Sequence, residues 1–234
     1  MTAEVIGELR KEATFGERQT LGLLRQNLPK EYSIYVETPI HKKRDFRYPD
    51  FVIVTNYGFI VLEVKDWVMV TGQVTPHGAT VRMRNGETRP EHNPVGKARE
   101  FALAIVNEIR QRCKQGDQRE IPWSYAALLF NLPGSIISQL RRPWGDEFVL
   151  GRDDLLNPDL LMNRLKITFP PERMRPLTKS ELDLIRATIY PIVEIERPDQ
   201  PSFVLDQQQE KIVAEPVFAE TPSPSPKTEK KAAE

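Results

Sequence analysis

The stretch PDFVIVTNYGFIVLEVK, residues 49–65, decides the fold. Two runs rich in Val, Ile and Phe, residues 51–55 and 59–64, flank a turn-like Asn56-Tyr57-Gly58. β-Branched and aromatic residues in short runs split by a turn predict a β-hairpin. A four-residue loop over 55–58 sets Val54 opposite Phe59 and, counting outward, Asp50 opposite Glu63. Side chains alternate along a strand, so Lys65 shares the face of Glu63. Asp50, Glu63 and Lys65 then form one polar cluster at the open end of the hairpin. An odd loop would place Asp50 on the other face.

Two carboxylates facing each other across a strand pair repel. At about 4 Å and an effective dielectric of about 20 the repulsion is roughly 4 kcal/mol. Lys65 offsets part of it, and a divalent cation would offset more, since hard cations take carboxylate and carbonyl oxygens. The cluster has two readings: an ordinary ion pair at an exposed strand end, or a metal-holding pair.

Both faces of the predicted hairpin are apolar, with Val52, Val54 and Val61 on one and Phe51, Ile53, Ile60 and Leu62 on the other. A sheet buried on both faces belongs to an α/β layer architecture. Upstream, Glu17, Leu21, Leu24 and Leu28 recur at helical spacing and predict an amphipathic helix over 16–28, closed by Pro29. Glu17 falls in its first turn, on the apolar face. Two readings fit it equally: an acid favoured in the first turn by the helix dipole, or a side chain that points inward towards the sheet, near the acidic cluster. A strand is expected within 31–40, with Ile34, Val36 and Thr38 alternating against polar neighbours. Further strands are expected at 68–74, 79–84, 123–132 and 147–150, and helices at 95–113, from Asn157-Pro158 to 165, and from the capping box at Thr178-x-x-Glu181 to Pro191. Gly96-Lys97 is no phosphate-binding loop, because Glu91 stands where that pattern needs its first glycine and Ala98 where it needs Ser or Thr.

The 234 residues suit one domain with extensions. Lysine plus arginine equals aspartate plus glutamate at 33 each, so polyanion affinity must come from local patches. The best patch is His41-Lys42-Lys43-Arg44-Asp45-Phe46-Arg47, a solvated loop or a phosphate-positioning one beside the cluster. A single cysteine, Cys113, allows no internal disulfide and no cysteine-based zinc site. No apolar run approaches 18 residues and the N-terminus carries no apolar signal core, so a cytoplasmic protein without membrane contact is expected. From about Glu194 the sequence turns polar and proline-rich, and its last stretch is expected to be disordered.

Gly16-Glu17 opening the first helix, Pro49-Asp50, Glu63-Val64-Lys65, Gly58 and Gly72 around the second strand, and Asn93-Pro94 leading into the long helix stand in the order seen in one family. The chain resembles the nuclease-related domain, NERD, a branch of the PD-(D/E)xK nuclease superfamily, over roughly residues 12–190. It departs from the family's pattern at Lys97, where glutamine is frequent, and at Asp66, where asparagine is frequent. Residues 203–213 further resemble the glutamine-containing lead-in of superfamily 1 helicases, although a solvated amphipathic turn accounts for them equally and no Walker motif follows.

The resemblance implies a restriction-endonuclease-like α/β fold with a mixed central sheet flanked by helices. The implied layout is an N-terminal extension at 1–11, the nuclease-like domain at 12–192, a linker resembling the helicase lead-in at 193–218 and a disordered tail at 219–234. It implies Mg²⁺- or Mn²⁺-dependent hydrolysis of phosphodiester bonds in DNA, with RNA as the alternative substrate. Asp50 and Glu63 would hold the metal with the Val64 carbonyl, Glu17 would complete the shell or bind a second ion, and Lys65 would act on the attacking water or the transition state. Lys42, Lys43, Arg44 and Arg47 would hold the DNA backbone. A helicase supplied in trans and a homodimer are the partners it implies. The rival reading is a catalytically silent module that docks nucleic acid or a helicase.

Overall fold

The computed structural model describes residues 2–42, 45–113, 120–190, 193–197 and 200–205. The chain divides into two compact units, Met1–Pro191 and Ile192–Glu234. In chain order the first unit runs β1 (Glu4–Ile6), α1 (Phe15–Asn27), β2 (Ser33–Val36), β3 (Ile40–Lys42), β4 (Asp45–Arg47), β5 (Phe51–Thr55) and β6 (Gly58–Lys65). It continues through β7 (Trp67–Thr75), β8 (Gly78–Met83), β9 (Thr88–His92), α2 (Pro94–Arg112), β10 (Trp123–Leu129), α3 (Gly134–Trp144), β11 (Val149–Gly151), α4 (Pro158–Ile167) and α5 (Lys179–Ile189). The second unit holds an antiparallel pair, β12 (Val193–Arg197) and β13 (Gln200–Leu205). The helicase-like segment beyond Leu205 and the expected disordered tail lie outside the described residues.

The central sheet has the order β1-β2-β5-β6-β10-β11. β5 pairs antiparallel with both β2 and β6, whereas β1–β2, β6–β10 and β10–β11 are parallel. Five strands therefore point the same way and β5 alone is reversed. The C-terminal ends of β2, β6 and β10 meet the N-terminal end of β5 at one edge of the sheet. This is a mixed α/β sheet flanked by helices, consistent with a restriction-endonuclease-like fold.

The hairpin register is the expected one, with Val54 opposite Phe59 and Phe51 opposite Leu62. Pairing extends inward to Thr55 and Gly58, so the connection itself is Asn56-Tyr57. The Thr55 hydroxyl donates to the Gly58 carbonyl at 2.9 Å and accepts from the Tyr57 N–H at 3.2 Å. Both faces are buried as the pattern predicts. Phe51, Ile53, Ile60 and Leu62 pack with Leu24, Leu28, Leu161 and Leu165 in one core. Val52, Val54, Phe59 and Val61 pack with Ala98, Ala102, Ile105 and Ile109 of α2 and with Ile185 and Ile189 of α5 in another. Burial on both faces is what helices packed on each side of a sheet produce.

Several elements differ from the expected ones for identifiable reasons. β2 spans only Ser33–Val36 and is buried along its whole length, because Glu37 takes φ +46° and breaks the extended run before Thr38. The basic stretch read as a loop contains two short strands, with Ile40 opposite Arg47 and Lys42 opposite Asp45. β9, Thr-Arg-Pro-Glu-His, and α3 carry weak intrinsic signals. The former is an exposed edge strand containing a proline, and the latter begins at Gly134 and holds Pro143. α3 is anchored instead by burial of Ile137, Leu140 and Trp144, whose indole N–H donates to the Thr75 carbonyl at 2.8 Å.

After Lys65 the chain leaves the central sheet for the three-stranded sheet β7-β8-β9. The Arg84 guanidinium, just past β8, lies 4.2 Å from the centroid of the Phe15 ring at the start of α1. No helix among the described residues is long and apolar enough to cross a membrane.

Candidate functional site

Asp50 immediately precedes β5, and Glu63 and Lys65 end β6, so the hairpin register alone brings them together. Asp50 is 6% exposed and Glu63 1%. Asp50 Oδ2 accepts the Val64 N–H at 2.6 Å, which pins the aspartate to the neighbouring strand between Glu63 and Lys65. Burial, then the charges of Glu63 and Glu17, push the Asp50 carboxyl up to about 7, against the opposing pull of the Val64 N–H and Lys65. A carboxyl that takes up protons near neutrality at a sheet end is a mark of functional sites.

Glu63 Oε1 accepts from two ammonium groups, Lys65 Nζ at 2.8 Å and Lys97 Nζ at 2.6 Å. Its other oxygen, Oε2, is buried without a hydrogen-bond partner among the described residues. Burial pulls the Lys65 ammonium down, but the charge and hydrogen bond of Glu63 and the charge of Asp50 outweigh it and leave its pKa raised. Lys65 therefore stays charged.

Glu17 is 4% exposed and lies on the far helical layer from Lys97. It closes a capping box: the Thr14 hydroxyl accepts the Glu17 N–H at 3.2 Å, and Glu17 Oε2 accepts the Thr14 N–H at 2.6 Å. Its other oxygen takes the Arg10 guanidinium at 3.3 Å. The position in the first turn is thus a capping role, and the acid's charge also reaches Asp50. Arg10 bridges onward to Glu37, whose Oε2 accepts the Arg10 N–H at 3.4 Å. The Glu37 N–H in turn donates to the Asp50 carbonyl at 3.2 Å. Burial chiefly, with Glu17 and Glu12 adding to it against Arg10, raises the Glu37 pKa.

Gly16 is needed beside Glu17. A Cβ there would lie 2.9 Å from Asp66 Oδ1 and 3.3 Å from Phe130 Cβ. That close approach lets Asp66 Oδ1 accept the Gly16 N–H at 3.1 Å as well as the Asn131 side-chain amide. The carboxylate sits against the positive end of α1, a better partner there than the neutral amide of asparagine. α1, β6 and the end of β10 are locked together one residue from Lys65.

Sequence reasoning missed three participants. Lys97 carried a signal, since a lysine in the first turn of a helix opposes the helix dipole. Arg10 and Glu37 carried none, because nothing local predicts a glutamate at positive φ. Of the basic patch, Lys43 and Arg44 lie outside the described residues, and only the backbone of Lys42 and Arg47 is described, in β3 and β4.

Chemically, the site offers two buried carboxylates, one with an oxygen that has no partner among the described residues, and two ammonium groups, all at one end of the sheet. Among the described residues no group of three or more His, Cys, Asp or Glu side chains is arranged to hold a metal ion. No curated protein and no solved structure matches the chain. The family model described as the nuclease-related domain, NERD, matches residues 12–129, half of the chain, and spans α1, the central hairpin, α2 and β10. The chain belongs to the nuclease-related domain family.

Proposed function

We propose that this protein is a metal-dependent nuclease that hydrolyses phosphodiester bonds in DNA. The observation that carries the reading is the buried Asp50–Glu63 pair with Lys65 on Glu63 Oε1 and Glu63 Oε2 unpartnered among the described residues. Two like-charged carboxylates in a desolvated position are unfavourable unless a cation is part of the design.

The residues fit a small hard cation. Asp50 and Glu63 supply carboxylate oxygens, the Val64 carbonyl is a third oxygen donor, and Mg²⁺ is commonly held by one or two carboxylates together with water and substrate phosphate. When bound, Mg²⁺ or Mn²⁺ supplies a water of lowered pKa and charge neutralisation at the phosphate. Lys65 orients that water or stabilises the charge that develops in the transition state. Glu17 sets the local negative potential while fixing α1. Lys42, Lys43, Arg44 and Arg47 hold the sugar-phosphate backbone without reading sequence. DNA processing, repair or defence, with RNA as an alternative substrate, a superfamily 1 helicase in trans and a homodimer, belongs to the same proposal.

A second reading has its own observation. Both Lys65 and Lys97 satisfy Glu63 Oε1, and a carboxylate already paired twice describes a silent nucleic-acid- or helicase-binding module equally well.

The test is cleavage of supercoiled plasmid and of end-labelled single-stranded DNA with Mg²⁺, Mn²⁺ or EDTA, for wild type and Lys65→Ala. The nuclease reading expects metal-dependent cleavage that disappears in the variant. Cleavage at wild-type rates by Lys65→Ala, or a wild type that binds DNA without cutting it under any metal, overturns it and favours the binding module.

A further inference from the structure

Glu63 carries one negative charge, and two ammonium groups converge on one of its oxygens. Lys65 belongs there by construction, on the same strand and face, with its side chain 20% exposed. Lys97 does not. It comes from α2, 34 residues away in sequence, and its side chain is 45% exposed. It stands in the first turn of that helix, which contains no acid, where the helix dipole disfavours a cation. Helix stability therefore does not account for Lys97, and the contact with Glu63 does. The Phe101 ring, one turn further along α2, lies 5.5 Å from the Lys97 ammonium and offers it a second resting place off the carboxylate.

We propose that Lys97 is the resident counter-cation of this site: it occupies Glu63 Oε1 while no divalent ion is held and leaves that oxygen when one binds. The inference rests on the reading that Asp50 and Glu63 hold a divalent cation. An ammonium on Oε1 and a divalent cation taken up on Oε2 repel each other across one carboxylate, so the half-exposed lysine is the one displaced and the more buried Lys65 stays. Lys97 thereby sets the cation concentration at which the site fills. Its ammonium, once released, remains at the sheet end as a positive charge for an incoming phosphate.

The test is titration of MgCl₂, and separately MnCl₂, into the full-length protein by calorimetry. Wild type, Lys97→Gln, Lys97→Arg and Glu63→Gln are compared, each shown to be folded by a melt in EDTA. Lys97→Gln is expected to bind Mg²⁺ about three- to tenfold more tightly than wild type, the size of effect that a half-exposed ion pair can exert. Lys97→Arg keeps the competing charge and is expected to stay near wild type. Glu63→Gln should lose saturable binding. Equal or weaker Mg²⁺ binding by Lys97→Gln, with saturable binding in wild type, overturns the counter-cation role and leaves the nuclease reading standing. A wild type with no saturable uptake of either ion overturns the metal-holding reading, and this inference with it.

Discussion

The Asp50 carboxylate accepts the backbone N–H of Val64, on the neighbouring strand, at 2.6 Å, and it does so while almost wholly buried. The hydrogen bond favours the ionised form, but burial and Glu63 outweigh it and raise the pKa to about 7. In the unfolded chain the same group titrates near its ordinary value, so across the window between about 4 and about 7 the folded state holds a proton that the unfolded state has released. Stability therefore falls as pH rises through that window, by up to a few kcal/mol at roughly 1.4 kcal/mol per unit. Asp50→Asn removes the titration and keeps an oxygen for Val64. Thermal melts in EDTA should show the variant gaining on wild type at pH 8 and not at pH 5, while losing cleavage at both. A gain of equal size at both values contradicts the account.

Glu63 is stabilised redundantly. Lys65→Ala leaves Lys97 on Oε1, and Lys97→Ala leaves Lys65 there, so each single change is expected to lower stability by only about 1 kcal/mol. The double variant leaves a buried carboxylate uncompensated and should lose roughly 3–5 kcal/mol. Denaturant titrations of the four proteins form a double-mutant cycle, and additive losses would show that the lysines do not share one partner.

The contact between α1 and Asp66, at the junction of β6 and β7, gives a third expectation. Gly16→Ala drives a methyl group against Asp66 Oδ1 at 2.9 Å and Phe130 Cβ at 3.3 Å, for an expected loss of about 1–3 kcal/mol. Asp66→Ala strands the Gly16 N–H and the Asn131 amide, at a similar expected loss. Combined, the changes should cost less than their sum, because the truncated Asp66 makes room for the added methyl group. Urea midpoints with unchanged slopes would measure this.

Two further glycines separate space from backbone freedom. A Cβ at Gly58 would stand 2.4 Å from the Pro122 carbonyl oxygen and 2.7 Å from the Phe169 ring, at φ +154°, where the hairpin meets β10. Gly58→Ala should lose more than about 3 kcal/mol, because backbone on one side and a core ring on the other cannot both yield. Gly96 lies within α2 with nothing within 4 Å of an added Cβ, so Gly96→Ala should gain roughly 0.5–1 kcal/mol. Melting temperatures moving in opposite directions would support both assignments.

The central hairpin was legible because its information is local: two apolar runs and an even connection fix register and face together, and Asp50, Glu63 and Lys65 follow. Capping chemistry at Thr178 and Asn157 was legible for the same reason, since a side chain two or three residues away closes the bond. The Thr14-x-x-Glu17 spacing carries the same signal at α1. β9 and α3 were not legible, because pairing with β8 and burial of Trp144 are tertiary facts that override weak local preference. Glu37 and Lys97 reach the cluster through a backbone break after β2 and through the docking of α2 on β6, neither of which the local pattern encodes.

Trp67 follows Lys65 by two residues, is fully buried, and meets Trp144 edge-on with ring centroids 6.1 Å apart. Its indole N–H has no hydrogen-bond partner among the described residues. Such a ring emits at short wavelength, and its intensity responds to charges a few ångströms away. Trp123 starts β10, opposite Phe59, at the other end of the sheet, and serves as an internal reference. The protein thus carries a native fluorophore two residues along the chain from Lys65, and replacing Trp144 with Phe would leave Trp67 to report occupancy of the acidic cluster against Trp123 as the second, distant indole.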